Sequence, residues 1–291
     1  MNDFIISALP YLIAVAVIAF LILLGSLITF ILVFYSKKRT PKKPDEIILP
    51  PGEVYEPFYP EMTEWVKDAR TLPHDNISIK SHDGLTLCAK YYECKKGAPL
   101  EILHHGYRGD AERDLSGGIE RCFALERNVL LVDLRAHGES DGNVITFGIK
   151  ERLDTLAWVK YAIERFGEDT KIILTGVSMG AATVMMAATE ELPPNVVCVL
   201  ADCGYTSPKE IIKKVIRELH LPDGILYPFV KLGARIFGGF NLEETSPKEA
   251  MEKCKIPVIF IHGDVDDFVP HEMSKRLFEV CSSEKKRFVT V

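Results

Sequence analysis

One stretch limits the folds open to this chain: Lys171-Ile-Ile-Leu-Thr-Gly-Val-Ser-Met-Gly180, followed by the small-residue run Ala181 to Ala188. The apolar run from Ile172 to Thr175 predicts a strand, the residues Gly176-Val-Ser-Met-Gly180 a sharp turn, and the run after them a helix. Ser178 sits at the apex, where the backbone must be strained. The flanking glycines fall where a side chain would collide with the neighbouring strand or helix. Such a turn lifts the serine Oγ out of the sheet and sets the next amide, that of Met179, at a helix N-terminus that favours negative charge. An exposed nucleophile beside N–H donors is what acyl transfer requires. A bare G-x-S-x-G arises by chance in about one chain in ten of this length, so its neighbours carry the weight.

The strand and helix patterns around it are consistent. Glu61 to Arg70 has helical spacing, with Trp65 as the residue expected to be buried. Asn76 to Ser81 and Leu85 to Tyr92 alternate about the turn His82-Asp-Gly84, an antiparallel hairpin. Leu100 to His104 is a strand entering a glycine-punctuated loop, Ala111 to Arg127 is helical, and Asn128 to Leu134 is apolar throughout, as buried parallel strands are. A helix over Lys150 to Phe166, strands at Asn195 to Leu200 and Ile256 to Ile261, a helix over Glu272 to Cys281 and a strand from Lys286 complete the series. Two antiparallel strands followed by alternating strands and helices predict an α/β fold, a mostly parallel sheet covered on both faces.

The N-terminus is different in kind. Phe4 to Ser36 holds no charged residue over 33 positions, enough for one membrane span of about 20 residues and too short for two. The flanks carry Asp3 before it and Lys37, Lys38, Arg39, Lys42 and Lys43 after it. The positive-inside tendency then puts the remainder of the chain in the cytoplasm of a single-pass cell-membrane protein. A cleaved signal peptide fits less well, since no basic residue precedes the run and the run is too long. Residues 37–60 hold six prolines and a basic head, read as an extended linker that is neither helix nor central strand. Residues 61–291 are left for the folded domain.

Charge excludes other classes. With 35 basic and 41 acidic residues the net charge is −6, and no basic stripe suggests nucleic acid. Seven scattered cysteines form neither C-x-x-C nor a zinc pattern, and suit a reducing compartment. No cofactor or metal is expected; Asp264, Asp266 and Asp267 are close together but lack a calcium loop.

Three further motifs accompany Ser178: His105-Gly-Tyr-Arg-Gly109 after a strand, Asp133-Leu-Arg135-Ala-His137-Gly-Glu-Ser140, and His262-Gly-Asp-Val-Asp266-Asp-Phe-Val-Pro270 after another. In this order they make the chain, over about Asn76 to Val291, resemble the α/β-hydrolase superfamily. The resemblance is in particular to membrane-anchored bacterial serine hydrolases related to esterases, monoglyceride-type lipases and acyl-aminopeptidases. It implies Ser178 as nucleophile, Asp266 as the acid of the triad, and the amides of Tyr107 and Met179 as the oxyanion hole. Asp133 and Arg135 are read as a pair that fixes the loops around the site, and His137 as a bonded loop residue.

The family's histidine follows the last strand, which here falls at or just past Val291, and no histidine follows His271. The expectation is a C-terminally incomplete copy that lacks its general base and, as written, turns over poorly. The insertion 207–253 is read as a helical cap over the nucleophile. Its Phe229, Val230, Ile236 and Phe237 line an acyl site, face the membrane or pack on the body. The resulting expectation is a hydrolase of small acyl esters or lipid-like substrates, water being the acceptor ahead of any other. The alternatives are a peptidase or thioesterase of the same fold, or an inactive membrane-tethered binding protein.

Overall fold

The alternation of strand and helix signals produces a single eight-stranded sheet. The computed structural model describes residues 2–37 and 45–291, without the side chains of residues 2–8. The strands are β1 (Asp75–Lys80), β2 (Thr86–Tyr92), β3 (Leu100–His104), β4 (Asn128–Val132), β5 (Ile172–Val177), β6 (Val196–Asp202), β7 (Val258–His262) and β8 (Lys286–Thr290). Around them lie α1 (Asn2–Val33), α2 (Tyr59–Thr71), α3 (Ala111–Leu115), α4 (Gly117–Ala124), α5 (Glu151–Phe166), α6 (Met179–Ala187), α7 (Pro208–Glu218), α8 (Asp223–Ile236), α9 (Pro247–Met251) and α10 (His271–Val280). The strand order is β1-β2-β4-β3-β5-β6-β7-β8. The first two pairings are antiparallel and the rest parallel.

Every residue of β3 and of β4 is buried, and successive side chains leave a strand on opposite faces. Ile102, Leu130, Val132 and Leu174 join the cluster that holds Trp158 and Val159 of α5 and Met185 of α6. Leu103, Val129 and Leu131 pack instead with Ala69 of α2, Ala111 and Leu115 of α3 and Ile119 of α4. The two periodicities, 2 for strands and 3.6 for helices, thus meet in two apolar layers with the sheet between them.

Several local expectations are corrected. Trp65 is only partly buried; Val66 and Ala69 are the buried residues of α2. The Trp65 ring covers Gly117 and its Nε1 donates to Glu120 Oε2 at 3.1 Å. The helix expected over Ala111 to Arg127 is two short ones that meet at Ser116, beside Gly117 and Gly118, where Trp65 and Leu103 leave no room for a side chain. The proline-rich segment does contain helix: a 3₁₀ turn at Glu56–Phe58, then α2, which starts at Tyr59 with Pro60 in its first turn. Proline is tolerated there because the first amides of a helix have no internal acceptor. The basic residues Lys38, Arg39, Lys42 and Lys43, with Pro41 and Pro44, lie outside the described residues.

The largest departure concerns α1. From Leu9 to Leu24 most of its large apolar side chains are exposed, but Phe30 and Phe34 are buried in the main core. α1 and α8 approach closely: a Cβ at Gly233 would stand 2.5 Å from the Ser26 carbonyl, and one at Gly25 would be 3.0 Å from the Phe229 ring. Phe34 meets Phe147 and Phe240 edge-on, with centroids 5.8 and 5.3 Å away. Of the four cap residues singled out, Phe229 and Phe237 face α1, Val230 is buried in the core and Ile236 is exposed.

Candidate active site

β5, β6 and β7 end side by side, since Val177 pairs with Asp202 and Asp202 with Ile261. Ser178 stands just past the end of β5 with φ 54° and ψ −112°, a conformation that costs an L-residue about 1–3 kcal/mol. The surroundings force it. Ser178 N donates to Asp202 O at 2.8 Å, and its carbonyl accepts from Ala182 N at 3.1 Å, so the residue is bonded to β6 on one side and to α6 on the other. The close packing behind it explains both glycines: a Cβ at Gly180 would lie 2.1 Å from His104 O, and one at Gly176 would lie 2.2 Å from the Gly180 backbone.

The loop after β3 passes over this turn, and a Cβ on Gly106 would sit 3.6 Å from that of Ser178. Three of its amides are spoken for. Gly106 N donates to Asp114 Oδ2 (3.2 Å), Arg108 N to His137 Nε2 (3.0 Å) and Gly109 N to Gly106 O (3.2 Å). Among the described residues neither Tyr107 N nor Met179 N has an acceptor. The bond from Arg108 N makes His137 Nε2 an acceptor, so its Nδ1 carries the proton donated to Arg135 O at 2.9 Å. His105 works the same way, with Nε2 accepting from Leu134 N at 3.0 Å and Nδ1 donating to Gly106 O at 2.8 Å. The two rings lie edge to face, 4.8 Å apart.

Asp133 and Arg135 are not a pair, contrary to the sequence reading. Asp133 is buried and accepts from Ala111 N and Glu139 N, 2.9 Å each, which ties α3 to the loop after β4. Burial raises its carboxyl above the ordinary range, and the nearby His105 and these amides oppose that. Arg135 turns away and grips Asp154 (2.6 Å) and Asp83 (2.8 Å), joining α5 to the β1–β2 turn. His82, Asp83 and Asp154 are grouped closely enough to hold a metal ion, but the Arg135 guanidinium already bonds both carboxylates.

Asp266 lies in the loop after β7. Its Oδ1 accepts from Phe268 N and Val269 N, both 2.9 Å, and its Oδ2 is 3.4 Å from His262 Nε2. Burial raises its carboxyl, but the His262 ring and the two amides outweigh that and hold it below the usual carboxylate range. His262 itself is fully buried and bonds Ser274 Oγ (2.6 Å) and Val269 O (2.8 Å), which makes it a brace for this loop. The cap reaches the same loop through Lys214 Nζ, bonded to Phe268 O at 2.8 Å.

Asp202 escaped the sequence reading. Burial pushes its carboxyl up to about 6, with His262 and Arg121 opposing and Asp266 adding to the rise. The only sequence signal was its position at the end of a strand next to Ser178's. Among the described residues no histidine bonds Ser178 Oγ. Val291, leaving β8, donates its N–H to His262 O (3.1 Å) and accepts from Asp264 N (3.0 Å), beside the Asp266 loop.

This strand order, with a strained serine between β5 and α6, is that of the α/β-hydrolase fold. Residues 102–236 match the alpha/beta hydrolase fold family. It is 30% identical over 163 residues to the uncharacterized protein YqkD of Bacillus subtilis, covering 56% of this chain and about half, 53%, of that one. It is 28% identical over 224 residues to the protein bem46 of Schizosaccharomyces pombe, covering 75% and 69%. Among solved structures it resembles the Pyrococcus furiosus esterase Pf2001, with a TM-score of 0.61, 25% identity, and 84% and 89% of the two chains covered.

Proposed function

We propose that this protein is a serine hydrolase that cleaves carboxylic esters, with Ser178 as nucleophile. The observation that carries the reading is the unspent Tyr107 N–H, in the loop whose Gly106 lies against Ser178, together with the equally unspent Met179 N–H of the turn itself. Two free N–H donors on the segments that flank a half-buried serine suit an oxyanion, and losing one such donor typically costs about 3 kcal/mol of transition-state stabilisation. Asp266 serves as the triad acid: ionised, oriented by two amides, and in the loop after β7. Among the described residues no histidine bonds Ser178 Oγ, so the reading assigns a nucleophile, an acid and an oxyanion hole and names no base. The likeness to an esterase structure agrees with ester substrates.

A second reading, an inactive hydrolase fold used for binding, is favoured by the histidines themselves. His104 and His262 are buried and bonded within the fold, His105 and His137 hold loops, and His271 Nε2 meets Thr290 Oγ1 at 3.2 Å. The test is turnover of p-nitrophenyl esters of increasing chain length, with thioester and aminoacyl substrates alongside, by the protein and by Ser178→Ala. Ester turnover that falls at least ~10³-fold in the variant supports the hydrolase. Equal rates for the two proteins refute it, and no turnover on any substrate favours the binding reading.

We also infer that α1 is a single membrane span with the body on the cytoplasmic side. Phe4 to Leu24 is 21 residues, about 32 Å of helix against a hydrocarbon core of about 30 Å. Removal as a signal peptide would take Phe30 and Phe34 out of the core, which supports a retained anchor. Protease protection of a tag placed before Asn2 in sealed cells tests the orientation. Digestion of the tag from the cytoplasmic side would refute it.

A further inference from the structure

A helix leaves its last four carbonyls without internal partners. In α1 those of Leu32 and Val33 are taken by two residues of the loop over Ser178: Tyr107 OH donates to Val33 O at 2.7 Å, and Arg108 Nη2 to Leu32 O at 2.9 Å. The guanidinium also lies at the negative end of the helix dipole, which strengthens the attachment. The contact is not a brush between surfaces. The Tyr107 ring packs against Phe147 (5.1 Å), Phe147 meets Phe34 edge-on, and the strand-like exit of α1 adds the bonds Ile145 N to Phe34 O (2.8 Å) and Ser36 N to Asn143 O (2.9 Å).

Gly106 and Gly109 are held by Asp114, His105 and each other, whereas the side chains of Tyr107 and Arg108 take their support from α1. Arg108 is in the left-handed region at φ 55°, an unfavourable conformation for a residue with a Cβ. Its amide is held by His137 and its side chain by α1; Tyr107 has its ring and hydroxyl for anchorage while its own N–H stays unbonded. The direction of that N–H therefore depends on where the end of α1 sits. On its far side that end is seated by the close approach of Gly25 and Ser26 to Phe229 and Gly233 of the cap.

We propose that the last turns of α1, Gly25 to Phe34, are a positioning part of the active site: they hold the Tyr107 side chain so that its amide faces the oxyanion. The proposal rests on Tyr107 N–H acting as an oxyanion donor. It makes the membrane helix a component of catalysis rather than a tether, because any displacement of α1 against the body turns the donor away.

The experiment uses the full-length protein in detergent micelles and a short, soluble p-nitrophenyl ester. Tyr107→Phe keeps the ring on Phe147 and deletes only the bond to Val33 O. Gly233→Leu leaves the loop untouched and wedges α1 off the cap. Both are expected to lower kcat about tenfold with KM within about twofold, less than the full loss of a donor. Inhibition by phenylboronic acid, whose serine adduct is tetrahedral and anionic, should weaken in parallel, a change that a merely structural role would not produce. Arg108→Lys, which retains a cation for Leu32 O, should lose less activity than Arg108→Ala. If Gly233→Leu fails to fold, Tyr107→Phe decides alone. Tyr107→Phe with unchanged kcat and unchanged boronate affinity overturns the proposal. Ser178→Ala separates the two levels: if it is as active as the parent, the serine-hydrolase reading has failed and not the coupling to α1.

Discussion

Asp202 gives the sharpest quantitative expectation. Its carboxyl, pushed up to about 6 by burial, lies near Asp266 with the His262 ring and Arg121 as partial compensation. The folded protein thus binds a proton more tightly there than the unfolded chain does. Stability contributed by this group is present at low pH and declines as pH rises from the ordinary carboxylate value near 3.8 through 6. Above that window the ionised, half-buried Asp202 costs the fold up to ~3 kcal/mol, about two pH units at 1.36 kcal/mol each. Asp202→Asn removes the charge and keeps the shape. At pH 8 the variant should be more stable by about 1–3 kcal/mol, which for a domain of this size raises Tm by roughly 3–8 °C. At pH 4 the gain should largely vanish, since Asp202 then carries its proton in the folded parent. Differential scanning calorimetry in the same detergent at the two pH values measures both. An Asn variant less stable at pH 8, or one with the same gain at both pH values, would refute the reasoning.

Three other substitutions probe the frame around the site. Gly180→Ala puts a Cβ 2.1 Å from the His104 carbonyl, and because the obstacle is backbone, a loss of about 2–4 kcal/mol in chemical denaturation is expected together with a fall in kcat. Glu101, fully buried, accepts from Arg127 Nη1 (2.8 Å), Thr175 Oγ1 (2.6 Å) and Arg121. Burial raises its carboxyl, but Arg121, Thr175 and Arg127 outweigh that and leave it below the ordinary range. Glu101→Gln should therefore cost about 2–3 kcal/mol at pH 7, less than a fully enclosed pair because Arg121 is partly exposed, and the difference should shrink on acidification through the carboxylate range. Lastly, Gly25 meets Phe229 and Phe30 meets Phe237, so α8 runs alongside α1 in the same direction. Leu219, Leu221 and Ile225, all exposed, are then brought level with the apolar part of α1. Leu221→Trp should be quenched by brominated lipid in vesicles, and quenching no stronger than that of the native tryptophans would contradict this placement.

What could be read from the sequence, and what could not, divides along physical lines. The elbow at Ser178 was legible because its constraints are local: a serine at φ 54° needs small neighbours, and Gly176 and Gly180 are spaced to supply them. The sheet was legible because strands buried on both faces have no polar alternation, as in Asn128 to Val132. Asp133 and Arg135 misled because two residues apart in a loop says nothing about direction: one turned to the amides of Ala111 and Glu139, the other to Asp154. Asp202 left no mark, since its raised carboxyl comes from burial and from Asp266 in the loop after β7. The docking of α1 is the most instructive case. A phenylalanine in lipid and one in a protein core satisfy the same solvation demand, so Phe20, exposed, and Phe34, fully buried, are indistinguishable letters in one apolar run. Gly25 and Ser26 differ from their neighbours, as Ser7 and Thr29 do, and small residues in such a helix are as consistent with lipid as with a partner. Gly25 and Ser26 become meaningful once Phe229 and Gly233 are found against them. The boundary between the exposed and the docked parts of α1 therefore falls inside the helix, near Gly25, within one continuous apolar run.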